Sequence, residues 1–99
     1  DVKDAGVTRQ GKKVTAKVVA VRPEAAGAAT LVLKPSRWSG HLAGQYVGVG
    51  VEIDGVLHWR TYSLTSPRQV SITVKAIGLV SSHLTQAKVG DVVRLRAAE

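Results

Sequence analysis

Ninety-nine residues with a formal charge of +7 and no cysteine make one domain with a modest core, and they exclude disulfide staples and thiolate metal centres. No apolar run approaches the roughly 20 residues that cross a bilayer, and the opening DVKDAGVTRQGKK has no apolar signal segment, so a cytoplasmic chain with no membrane span is expected. Six of the fourteen Lys and Arg residues precede Pro23, which invites a nucleic acid, but two Trp and two Tyr with no Phe make a poor set of stacking platforms for one.

In chain order, residues 1–13 read as a flexible basic leader, because Lys3, Arg9, Lys12 and Lys13 lie in a stretch with no apolar period. Residues 14–99 form the domain. VTAKVVAVRP (Val14 to Pro23) alternates apolar and polar residues and closes on a proline that cannot donate to a ladder, and ATLVLKP (Ala29 to Pro35) ends the same way. GQYVGVGVEIDG (Gly44 to Gly55) is a long strand whose interior Gly48 and Gly50 predict a bend or bulge at a barrel corner. Asp54-Gly55 predicts a two-residue hairpin into VLHWRTYSLTS. QVSITVKAI (Gln69 to Ile77) follows, with Val70, Ile72 and Val74 on one face; VSSHLTQA (Val80 to Ala87) is the one segment fit for a helix, and GDVVRLRAA returns to strand. The connections SPRQ and AIG are unusually tight. The expected architecture is all-β, a six-stranded antiparallel Greek-key barrel with one short helix, since closure removes sheet edges.

Two places carry chemistry. In RTYS a strand sets Arg60 and Tyr62 on one face and Thr61 and Ser63 on the other, so a fork of donors for phosphate oxygens sits beside an aromatic face. An arginine–tyrosine contact on a solvated strand is the plain alternative. In GLVSSHL, Gly78 and two serines open the helix, where free N–H groups favour an anion and where one serine is ordinarily just a cap. His41, His58 and His83 are too scattered to assemble a metal site, so no metal is expected. Trp38 reads as a core residue before a cofactor cover.

RTYSLTS followed by ITVKAIGLVSSHL, with GQYVGVGV upstream, resembles the flavin-binding barrel of the ferredoxin–NADP reductase superfamily, whose signature is R-x-Y-S-x-x-S with a later G-x-x-S-x-x-L. The resemblance implies that Arg60 pairs with the flavin pyrophosphate, that Tyr62 packs on the isoalloxazine or its ribityl end, and that Ser63 lies near flavin N5 as the catalytic hydroxyl. It also implies that Thr61 and the backbone of Val74 and Lys75 line the ring, while Gly78, Leu79, Val80, Ser81 and Ser82 take the pyrophosphate. FAD is the implied cofactor, with FMN as a branch alternative, in an NAD(P)H-dependent reductase that hands electrons to a ferredoxin or [2Fe–2S] domain, an oxygenase or a desaturase. The pyridine-nucleotide domain that follows the barrel in that family has no counterpart here: no G-x-G-x-x-G is present. Two readings of other classes compete, a basic nucleic-acid-binding small barrel and a non-catalytic β interaction module.

Overall fold

The computed structural model describes residues 13–96. Six strands, β1 (Lys13–Pro23), β2 (Ala28–Pro35), β3 (Tyr46–Ile53), β4 (Val56–Ser63), β5 (Val70–Lys75) and β6 (Val92–Arg96), carry one helix, α1 (Leu79–Thr85), between the last two. A one-turn 3-10 segment, Ala25–Gly27, joins β1 to β2. The basic leader lies outside the described residues except for Lys13, which opens β1. Among the described residues no helix is long and apolar enough to cross a membrane.

Every strand pair is antiparallel, in the order β4-β3-β6-β1-β2-β5. Consecutive strands β2 and β3 therefore fall in different halves of the sheet, as the Greek key requires. The sheet curls round a core supplied by alternate residues, with Val18, Leu31, Val49, Ile72 and Leu95 wholly buried. Each such side chain contributes about 1.5–3 kcal/mol relative to exposure. Helix α1 adds Val80 and Leu84 to the same core and packs on β5 and β2.

Asp54 and Gly55 both have positive φ, 52° and 81°, between the paired residues Ile53 and Val56, which is the two-residue hairpin expected of Asp-Gly. Of the bend or bulge expected at Gly48 and Gly50, the bulge is not there. β3 pairs with β4 without interruption, and the bulge lies in β1 between Val18 and Ala20, where Asp91 and Gly90 take the backbone groups of Val18. The two glycines instead make room. A Cβ on Gly50 would sit 2.9 Å from the Trp59 ring, and one on Gly48 would sit 3.3 Å from the Cβ of Arg96.

The tight connections are closed by hydroxyls. Ser66 Oγ accepts from the backbone N–H groups of Arg68 and Gln69, turning the chain between β4 and β5. Strand β4 stops at Ser63, three residues short of the expected Ser66, because Leu64 drops into the core with its N–H on the Gln45 carbonyl.

Candidate functional site

Strands β4 and β5 are the two ends of the sheet, and the candidate residues lie on them or just beyond. The two strands run close to each other, and the chain just past β4 is tied to β5 where Thr65 donates its N–H to the Ser71 carbonyl at 3.0 Å and the two hydroxyls lie 2.6 Å apart. No ladder joins them beyond it. The result is a seam, zipped at Thr65–Ser71 and open towards α1.

Strand geometry decides which groups face this seam, since successive residues send their backbone groups to opposite edges. On β4, Leu64 bonds towards the β3 side and Thr65 across the seam, so Thr61 and Ser63 present their N–H and C=O to the opening. On β5, Ser71 faces the seam while Ala76 bonds to Gly27 on the β2 side. Thr73 and Lys75 thus face the opening with their backbone, and Val74, its side chain wholly buried, turns its own towards β2. Of the two β5 positions singled out in the sequence, only Lys75 has backbone groups aimed at the seam.

Side chains follow the other alternation. Arg60 and Tyr62 lie opposite Val49 and Val47, both buried, and so belong to the inner face; Thr61 and Ser63 point outward and are exposed. Arg60 is exposed because β4 has no neighbour on its far side. Its Nη1 donates to the Trp59 carbonyl at 2.7 Å, which leaves the outer fork of donors to reach an anion. Tyr62 is half-buried against the core.

Burial raises the pKa of the Tyr62 phenol above its ordinary value, and the positive charge of Arg60 lowers it in part. The phenol is therefore neutral at physiological pH and offers an uncharged ring. Because the folded state holds this proton more tightly than the unfolded chain does, the contribution to stability is complete below the ordinary tyrosine value of ~10 and falls as pH rises from there through the higher folded-state value. Tyr62→Phe is expected to lose less stability than the unaltered chain between pH 8 and pH 10.5, as measured by urea unfolding. Equal losses in the two proteins would refute the assignment.

At the start of α1, Gly78 is the N-cap and carries no side chain to cap with. Ser81 does that work from inside the helix: its Oγ accepts from the N–H groups of Ile77 and Gly78, both at 2.9 Å, and donates to the Gly78 carbonyl at 3.3 Å. The Ser81 hydroxyl is thus buried and committed within the chain. Ser82 is half-buried, and Val80 has its side chain in the core, so Val80 reaches a ligand only through its N–H. Ile77 and Leu79 flank the cap with 82% and 62% of their surface exposed. A residue in the Ile77 position ordinarily staples onto the fourth helical residue, but that residue is Ser82, so Ile77 has no apolar partner and stays out. The mismatch is visible in IGLVSS itself, and it is the sequence signal for an apolar surface at the start of α1 that the serines there overshadow.

A brace holds the base of the seam. Trp38 Nε1 donates to His41 Nδ1 at 2.9 Å, so the neutral ring carries its proton on Nε2 and donates it to the Ser66 carbonyl at 2.6 Å. Trp38 packs on the core, as expected of it. His58 lies half-buried on β4 and His83 exposed on α1; among the described residues no group of His, Asp and Glu could hold a metal ion. A cavity of about 300 Å³ lies between β3, α1 and the start of β6, lined in part by Glu52, His83 and Asp91, and none of the seam residues lines it.

The sequence of residues 29–99 matches the model of the oxidoreductase FAD-binding domain family. The chain belongs to that family. Within it, this FAD-binding domain is 39% identical to an NADPH oxidoreductase of Mycobacterium tuberculosis over 89% of the chain, and spans 26% of that protein's length. Its fold matches the flavohem-like FAD/NAD-binding domain of a nitric oxide dioxygenase from Vibrio cholerae with a TM-score of 0.72 and 33% identity, covering 87% of this chain and 43% of that one. It also matches the ferredoxin reductase of carbazole 1,9a-dioxygenase with a TM-score of 0.68 and 26% identity, over 85% of this chain and 28% of the other. The domain is thus a member of the ferredoxin–NADP reductase superfamily, and the stretch it matches spans less than half the length of each of these relatives.

Proposed function

We propose that this domain holds FAD across the β4–β5 seam and serves an enzyme that moves electrons from NAD(P)H to an iron–sulfur partner. The observation that carries the reading is the seam itself: an exposed arginine and a neutral, half-buried tyrosine share its inner face, and unladdered backbone groups line both sides. A ligand with phosphates at one end and a flat, hydrogen-bonding heterocycle at the other fits that set. Bound FAD supplies a two-electron hydride acceptor that gives its electrons up singly.

The residues divide the work. Arg60 takes the pyrophosphate with its free donors, aided by the N–H groups of Leu79 and Val80 and by Ser82. Tyr62 gives its ring, and the backbone of Thr61, Ser63 and Lys75 meets the polar rim of the heterocycle. Ile77 and Leu79 offer the apolar surface such a ligand covers. The relative called an NADPH oxidoreductase supports a nicotinamide donor, and the ferredoxin reductase of carbazole 1,9a-dioxygenase supports a ferredoxin acceptor.

Titration of the purified chain with FAD and with FMN, followed by desalting, tests the first half. FAD retained in preference to FMN is expected; a colourless protein after both would end the reading. For the second half, the FAD-loaded chain is photoreduced and mixed with an oxidised [2Fe–2S] ferredoxin, whose bleaching is expected to outpace loss of electrons to oxygen. The Ser63 side chain points to the outer face of β4, so its hydroxyl acts on the chemical step only where the heterocycle overhangs the strand edge; with that placement Ser63→Ala is expected to keep the FAD affinity while slowing reduction by a small dihydronicotinamide. Loss of affinity and rate together would remove Ser63 from that role.

A further inference from the structure

We infer that Trp59 and Arg96 form a clamp on the outer face of the sheet that aims Arg60, making both of them positioning residues for the FAD site. Strand β4 is an edge, hydrogen-bonded on one side only, to β3. Trp59 ties it further in. Its ring lies over Gly50 of β3, where even a methyl would come within 2.9 Å, and the guanidinium carbon of Arg96 on β6 stands 4.0 Å from the ring centroid. The stack thus spans three strands, β4, β3 and β6. Among the described residues Arg96 Nε is buried without a hydrogen-bond partner, and the indole face is the group the guanidinium lies against.

The link to the site is the other end of the same residue. The Trp59 carbonyl accepts the Arg60 Nη1 hydrogen bond at 2.7 Å, so the residue whose ring is pinned also holds the guanidinium that faces the seam. Gly50 belongs to the device, because any side chain there would lift the indole off the strand. With the stack broken, β4 is free to twist about β3, and the fork of Arg60 loses its direction while its charge remains.

This inference rests on the FAD reading, and a double-mutant cycle on the chain separates the two. Arg96→Gln is expected to weaken FAD binding about fivefold, the size of one cation–π contact, and Arg96→Lys, which keeps a cation over the ring, to stay within about twofold. In an Arg60→Ala background Arg96→Gln is expected to add less than about twofold, because the group it aims is gone. Equal losses in both backgrounds would make the stack a general support, and no loss in either would leave it without a role; each result overturns the inference while FAD binding stands. Failure of the unaltered chain to bind FAD would take down both readings together. Should Arg96→Gln not fold, Gly50→Ala displaces the indole from the opposite side and is expected to show the same dependence on Arg60; an unchanged affinity there overturns the inference as well.

Discussion

Arg60→Ala is expected to weaken FAD binding by about 1–3 kcal/mol, the worth of charge-assisted hydrogen bonds to a phosphate, or roughly 5- to 150-fold in Kd. Arg60 is exposed, makes its hydrogen bond to a neighbouring carbonyl rather than to a carboxylate, and stands on the inner face of the seam beside Tyr62. Removing an exposed side chain of this kind changes fold stability little, within about 0.5 kcal/mol, so the melting point of the apo chain serves as the control. Arg60→Lys is expected to fall between, since it keeps the charge and loses the planar fork. Titration by flavin fluorescence reads all three proteins. An unchanged Kd in Arg60→Ala would remove the residue from the site and with it the main support for the phosphate end of the ligand.

Leu64→Ala is expected to cost about 2–5 kcal/mol of stability, the range for deleting a buried leucine side chain. Leu64 is 2% exposed, and its backbone is tied on both sides, N–H to the Gln45 carbonyl and C=O to the Gly44 N–H. The surrounding chain therefore has little freedom to collapse into the space. Small domains hold about 5–15 kcal/mol in all, so this one change removes a large share. A fall in Tm of about 4–8 °C per kcal/mol follows for a domain of this size. Leu64→Met, which keeps the volume, is expected to cost less than about 1.5 kcal/mol. Saturating FAD is expected to restore part of the lost Tm, because a ligand that binds the folded chain alone stabilises it by mass action. A small loss in Leu64→Ala would mean that the segment after β4 repacks, and the base of the seam would then be softer than its contacts imply.

The central pairing of the site was legible because a β-strand has a period of two and Asp54-Gly55 sets the register of its hairpin. Once Ile53 faces Val56, Val49 must face Arg60 and Val47 must face Tyr62, so the shared inner face of the arginine and the tyrosine follows from counting. Other features depended on residues distant in the chain. The use of Gly48 and Gly50 is explained by Trp59 and Arg96, which no local pattern connects to them, and a bulge was the natural local reading. The inward turn of the Ser81 hydroxyl depends on Gly78 having no side chain to cap the helix, a cue present in GLVSS but outweighed by the suggestion of two anion-ready serines. The backbone direction of Val74 is set by the Thr65–Ser71 link, which forms only when β4 and β5 come together at the ends of the sheet.

Two strands that carry unladdered backbone along the same opening are also a template on which another chain can add a strand. The FAD-free domain is then the form at risk of edge-to-edge association, with β4 of one copy recruited by β5 of the next. A cofactor lying in the seam blocks that recruitment as it binds. With FAD held in the seam as proposed, flavin supply would bear on the yield of the folded domain, since chains that meet the cofactor late would spend longer with both edges open.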